Sequence, residues 1–132
     1  MTDKKNSHMK LKILIVEDDD IAQIYLNEIV ESFSREILMA GSGIQGLKYF
    51  KDHQDIDLIL MDIKLPDLNG YEVTKQIRLY NKTVIIIAQT AYAMSSDRTK
   101  AMDAGCNDYI SKPVTKDILL KTINKYLNLD VS

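Results

Sequence analysis

The sequence predicts an α/β three-layer sandwich, five parallel strands with helices on both faces. Three observations predict it. Apolar runs of strand length recur along the chain, nearly unbroken, as strands buried on both faces should be. Between them lie segments whose apolar residues return every three to four positions. Glycines stand where those segments begin or end.

Residues 1–9 are polar and aperiodic and are expected as a frayed arm, native or a cloning remnant, ahead of a domain spanning 10–130. The first strand is the run Leu11 to Glu17. Ala22, Tyr25, Ile29 and Phe33 then share one helical face, and Glu36 to Ala40 forms a weaker second strand. Gly41 and Gly43 flank the entry to a second helix carrying Ile44, Leu47 and Phe50. Gly46 lies inside that helix, at a cost of about 1 kcal/mol in helix preference. Ile56 to Asp62 is the third strand, and Gly70 opens a third helix marked by Val73 and Ile77. Thr83 to Thr90 is the fourth strand; Ala101 and Met102 mark a helix closed by Gly105 in a left-handed cap. Asn107 to Ser111 is a short fifth strand, followed by the stripe Leu119, Ile123, Tyr126 and Leu127.

A chain of 132 residues fits one domain and hides about two-thirds of its unfolded surface. Seventeen basic residues against 19 acidic ones give a formal net charge of -2, so neither nucleic acid nor a membrane is expected as a direct partner. Cys106 is the only cysteine, which excludes an intrachain disulfide and a zinc site of several thiolates, and a cytoplasmic setting is expected. No apolar run approaches a membrane span, and the N-terminus lacks a signal-peptide core.

In open sheets of this kind, ligands bind beyond the carboxyl ends of the strands. The first strand ends in Glu17-Asp18-Asp19-Asp20, the third in Asp62, the fourth in Thr90, and the fifth runs into Lys112-Pro113. Each has a plain explanation by itself. Asp19 or Asp20 caps the first helix, Thr90 starts a helix, and Lys112 is a solvated lysine. Together they deliver carboxylates, a hydroxyl and an ammonium to one edge. Like charges about 4 Å apart repel by roughly 4 kcal/mol at an effective dielectric of 20, and a hard divalent cation relieves that. Oxygen donors without histidine or several thiolates favour Mg²⁺. These residues describe a phosphoryl-binding site with an aspartate nucleophile.

With those residues in hand, the chain resembles the receiver domain of two-component response regulators over roughly Leu11 to Leu127. The likeness rests on ILIVEDD, LILMDIKLPDLNGYE, AQTAYA and AGCNDYISKP in the family's order and spacing. The wording of the last two looks most like receivers of hybrid sensor kinases. The resemblance implies a flavodoxin-like sheet of order 2-1-3-4-5. It implies that Asp62 is the phosphoacceptor, that Glu17, Asp18, Asp62 and the Lys64 backbone carbonyl hold Mg²⁺, and that Thr90 and Lys112 contact the phosphoryl oxygens. It also implies a cis bond before Pro113 and a switch formed by Thr90 and Tyr109, acting on the face of the fourth helix, fifth strand and fifth helix. The donor would be a histidine kinase or histidine phosphotransfer domain, the downstream effector is unnamed, and a homodimer through the switch face stays open. Such a chain is a signalling domain rather than an enzyme with a separate substrate. Glu17 stands where many members carry Asp, and Asn69 where Asp is frequent. The resemblance also implies that Lys64 and Tyr92, two residues beyond Asp62 and Thr90, stand where family members control the attacking water, and bulky Tyr92 is expected to slow hydrolysis. His8 and His53 are expected as solvated surface residues.

Three rivals are weaker. An electron carrier would need a phosphate-cradling loop where the acidic run stands, and an aspartate phosphatase would leave Asp62, Thr90 and Lys112 unexplained. A P-loop enzyme would need GxxxxGK[ST], which the chain lacks.

Overall fold

The computed structural model describes residues 10–91 and 95–129, so the N-terminal arm, Tyr92 and the last three residues lie outside the described residues. Five strands alternate with five helices. In chain order they are β1 (Leu11–Val16), α1 (Asp20–Val30), β2 (Ser34–Ala40), α2 (Gly43–Asp52), β3 (Leu58–Asp62), α3 (Gly70–Tyr80), β4 (Ile85–Thr90), α4 (Ser95–Ala104), β5 (Asp108–Ser111) and α5 (Lys116–Tyr126). The strands pair in parallel in the order β2-β1-β3-β4-β5, as expected.

Side chains alternate across the sheet and divide the core in two. Leu11, Ile13, Ile15, Leu58 and Leu60 meet Leu26, Ile29 and Val30 of α1 and Leu119 and Ile123 of α5. Leu14, Val16, Ile59, Met61 and Ile86 meet Leu47 and Phe50 of α2, Val73 and Ile77 of α3, and Ala101 of α4. Both faces of the central strands are therefore covered, which is why β1 and β3 read as continuous apolar runs.

The helices start on side-chain caps that the sequence supplies in place. Asp19 accepts from Ala22 N at 2.8 Å, Ser42 from Gln45 N at 3.1 Å, Asn69 from Glu72 N at 2.9 Å and Thr115 from Ile118 N at 3.2 Å. Asn69, at a frequent Asp position, thus caps α3. At the other end of α4, Gly105 (φ 110) donates to Met102 O and Cys106 N to Ala101 O, the bonding pattern of a Schellman cap.

Several core assignments shift. Tyr25 is 44% exposed and Ile44 62%, because α1 turns Leu26 and Val30 inward and α2 turns Gly43, Gly46 and Leu47 inward instead. Met102 and Tyr126 also face outward, and Phe33 is buried from a 3₁₀ turn (Glu31–Phe33) rather than from α1. Gly46 has a packing reason: a methyl there would meet Val16 Cγ2 at 2.9 Å, and buried, β-branched Val16 has little room to yield. His53 is not a solvated surface residue. It is half buried at the end of α2, where Lys12 Nζ lies 2.9 Å from its Nδ1. Lys12, buried within the apolar first strand, is held there by Asp55 at 2.8 Å and Glu36 at 3.2 Å.

Candidate functional site

Sheet register brings the predicted residues together. Val16 pairs with Met61, so Glu17 comes beside Asp62; Asp62 pairs with Gln89, and Thr90 with Ser111 just before Lys112. Lys112 N donates to Thr90 O at 2.7 Å, and the Lys112-Pro113 bond is cis. Four strand ends thus open on one cleft of about 530 Å³, lined by Glu17, Asp18, Asp62, Lys64, Thr90 and Lys112 among others.

Charge in the cleft is concentrated and partly buried. Glu17, Asp62 and Thr90 are buried, whereas Asp18 is exposed. Glu17, Asp18 and Asp62 each offer a carboxylate oxygen within 4.8 Å of the others. Lys112 Nζ stands 3.0 Å from Asp62 Oδ1 and 3.8 Å from Glu17 Oε1. Burial pushes the Glu17 carboxyl above the usual carboxylate range, and the Asp62 charge adds to the push, while the Asp19 N–H and Lys112 oppose it. Burial alone would lower the pKa of Lys112, but its hydrogen bond to Asp62 and the surrounding carboxylates hold it above the usual lysine value. Lys112 is therefore an ammonium at neutral pH.

Two buried side-chain polar atoms among the described residues lack a hydrogen-bond partner, Glu17 Oε1 and Gln89 Nε2, and both belong to this edge. An unmet buried group costs about 1–3 kcal/mol. Glu17 Oε2 is already taken by Asp19 N at 3.0 Å. A second carboxylate oxygen without a donor, beside two further carboxylates, fits a hard cation.

Tyr109 is half buried on β5, with the Arg98 guanidinium 5.8 Å from its ring centre. The cleft therefore gathers Glu17, Asp18, Asp62, Lys64, Thr90 and Lys112, with Tyr109 on the neighbouring strand two residues after Asn107. Sequence reasoning missed three contributors. Gln23 Nε2 donates to Glu17 O at 2.6 Å and so steadies the end of β1. The sequence marks Gly70 only as a helix start, yet its N–H donates to Ile63 O at 2.8 Å directly behind Asp62. Asp67 joins the loop after β3 to α2. The Leu65-Pro66-Asp67 wording held a turn signal for the last, but its partners lie more than 20 residues away.

Comparison with known proteins agrees with this geometry. The family model for the response regulator receiver domain matches residues 13–124. The polar-differentiation response regulator DivK of Brucella ovis is 36% identical over 121 residues, covering 90% of this chain and 98% of DivK. A chain in the co-crystal structure of the Saccharomyces cerevisiae histidine phosphotransfer signaling protein Ypd1 and the receiver domain of its downstream response regulator Ssk1 superposes with a TM-score of 0.83 at 35% identity, covering 90% of each chain. The receiver domain of a sensor histidine kinase from Pseudomonas aeruginosa PAO1, solved with magnesium coordinated in the active site cleft, gives 0.79 at 34% identity, covering 89% of this chain and 97% of that one.

Proposed function

The chain belongs to the response regulator receiver domain family, and from that premise we propose that Asp62 accepts a phosphoryl group from a phosphohistidine with Mg²⁺ as cofactor. The observation that carries this reading is the convergence on Asp62: two carboxylates from the end of β1 and an ammonium 3.0 Å away after β5.

Glu17, Asp18, Asp62 and the Lys64 backbone carbonyl are the residues that would hold the ion. Mg²⁺ supplies positive charge to the oxygens of the transferring group. The chain's own residues do the rest. An Asp62 carboxylate oxygen attacks phosphorus in line as the P–N bond to imidazole breaks, and the electron pair returns to that nitrogen. Lys112 and Thr90 contact the phosphoryl oxygens, so catalysis is mainly positioning and electrostatics. The new charge draws Thr90 toward it and frees space for Tyr109, reshaping the face of α4, β5 and α5.

The Ypd1 and sensor-kinase neighbours support a histidine phosphotransfer domain or histidine kinase as the donor. The role is signalling rather than turnover of a separate substrate, and a cytoplasmic setting agrees with a single, buried cysteine. No helix among the described residues is long and apolar enough to cross a membrane.

Incubation with Mg²⁺ and a small acyl-phosphate donor is expected to add one phosphoryl group by intact mass. Asp62→Asn is expected to abolish the gain, as is removal of Mg²⁺ by a chelator. Unchanged labelling of Asp62→Asn would refute the assignment.

A further inference from the structure

Asp67 has no part in the chemistry above, yet its carboxylate makes two of the shorter side-chain bonds in the protein. Oδ1 accepts from Gly43 N and Oδ2 from Ile44 N, each at 2.8 Å. These are the first two N–H groups of α2, which the helix itself leaves unpaired. The next N–H, from Gln45, goes to Ser42 Oγ. The fork therefore completes the start of α2 from a loop more than 20 residues on. The Ile44 N–H, with that of Gly43 assisting, holds the Asp67 carboxyl below the usual carboxylate range.

The same loop carries Lys64. Its root is fixed by Ile63 N donating to Gln89 O at 3.1 Å, and its neck by Gly70 N donating to Ile63 O at 2.8 Å. Both ties hold Ile63. Beyond it, Lys64, Leu65 and Pro66 line the cleft with no hydrogen bond of their own among the described residues; Leu65 rests partly buried against the core, and Asp67 is the next hydrogen-bonded anchor. The segment is thus strung between β4 and the N-terminus of α2.

We propose that Asp67 is a positioning residue that sets the affinity of the cleft for Mg²⁺ by holding the Lys64 carbonyl at the ion. This rests on the reading of Lys64 as a ligand. Release of the fork leaves only the apolar contact of Leu65 to hold residues 64–66 and lets the Lys64 carbonyl shift off the ion, while Asp62 and Thr90 at strand ends and Lys112 directly after β5 keep their places. Loss of an outer contact that orients a metal ligand typically costs at least about 10-fold in affinity.

The test is a titration of the full chain with Mg²⁺, read both by calorimetry and by the rate of labelling from a small acyl phosphate. Asp67→Ala is expected to raise the half-saturating Mg²⁺ about 10-fold, with the rate at saturating Mg²⁺ unchanged. Asp67→Asn, which keeps one acceptor oxygen and the side-chain volume, is expected to fall between wild type and Asp67→Ala. It also serves as the second variant should Asp67→Ala fold poorly. The shift is expected to persist in high salt, where a loss of through-space attraction alone would fade. Unchanged half-saturation in both variants overturns the inference and leaves the reading of the cleft intact, as does a shift that vanishes in high salt. A fall in the saturating rate without a shift also overturns it. A wild-type chain whose labelling ignores Mg²⁺ overturns the reading of the cleft itself.

Discussion

Lys112→Met is expected to slow phosphoryl acceptance by about 100-fold, the lower end of what one preorganised donor contributes to charge stabilisation. The Lys112 side chain reaches two buried carboxylates and is 36% exposed, so its head lies between solvent and the cleft. Breaking a fully buried pair costs about 3–5 kcal/mol. Solvent screening at Lys112 reduces that to about 1–2 kcal/mol of stability. The two effects separate in the measurement: urea unfolding reports the small one, and the labelling rate at saturating Mg²⁺ the large one. A third readout moves the other way. Lys112 competes for the Asp62 oxygen that the ion would take, so the variant is expected to bind Mg²⁺ more tightly while reacting more slowly. A lysine that merely filled space would give neither change.

The second large effect concerns the backbone behind the acceptor. Gly70→Ala is expected to lower stability by about 3 kcal/mol, the upper end for overpacking, because the added methyl would press on rigid backbone. It would lie inside van der Waals contact of the Asp62 carbonyl oxygen and 2.9 Å from Ile63 Cα and Met61 Cγ. At this chain length the loss corresponds to a fall in melting temperature of roughly 10 °C. Relief requires the start of α3 to move away from the end of β3, which breaks the Gly70-to-Ile63 bond and displaces Asp62. Labelling should therefore fall with stability. Gly41→Ala is the matched control, since its methyl would meet nothing closer than Gln23 Nε2 at 4.0 Å. It is expected to be neutral or stabilising by about 0.4–1 kcal/mol.

The fold was legible because its central strands are covered on both faces and so leave a continuous apolar trace, as in Leu58 to Met61. The edges were less so. β2 begins at Ser34, two residues before the expected Glu36, because an edge strand pairs through backbone groups that leave no mark on side-chain polarity. Helix faces were read one position off where an aromatic or β-branched residue sits at the rim: Tyr25 and Ile44 are apolar by type but outward by rotation. The cleft was legible for a different reason. Every strand in a parallel sheet ends on the same side, so Asp18, Asp62, Thr90 and Lys112 could be grouped from strand ends alone. The supports of the cleft could not. The Asp67 fork joins residues more than 20 apart and the Gln23 side chain bonds a backbone carbonyl, so no local period encodes them; nor does one encode the cluster of Lys12 with Glu36, His53 and Asp55 at the other end of β1.

The most direct measurement is to find the atom that receives the phosphoryl group. The chain would be labelled with Mg²⁺ and an acyl phosphate, then reduced with borohydride, which converts an acyl phosphate to the alcohol. Peptide sequencing by mass spectrometry would follow. The account predicts homoserine at position 62 and no other reduced carboxyl. Reduction at Glu17, Asp18 or Asp19 instead, or a mass gain that leaves position 62 unreduced, would contradict it.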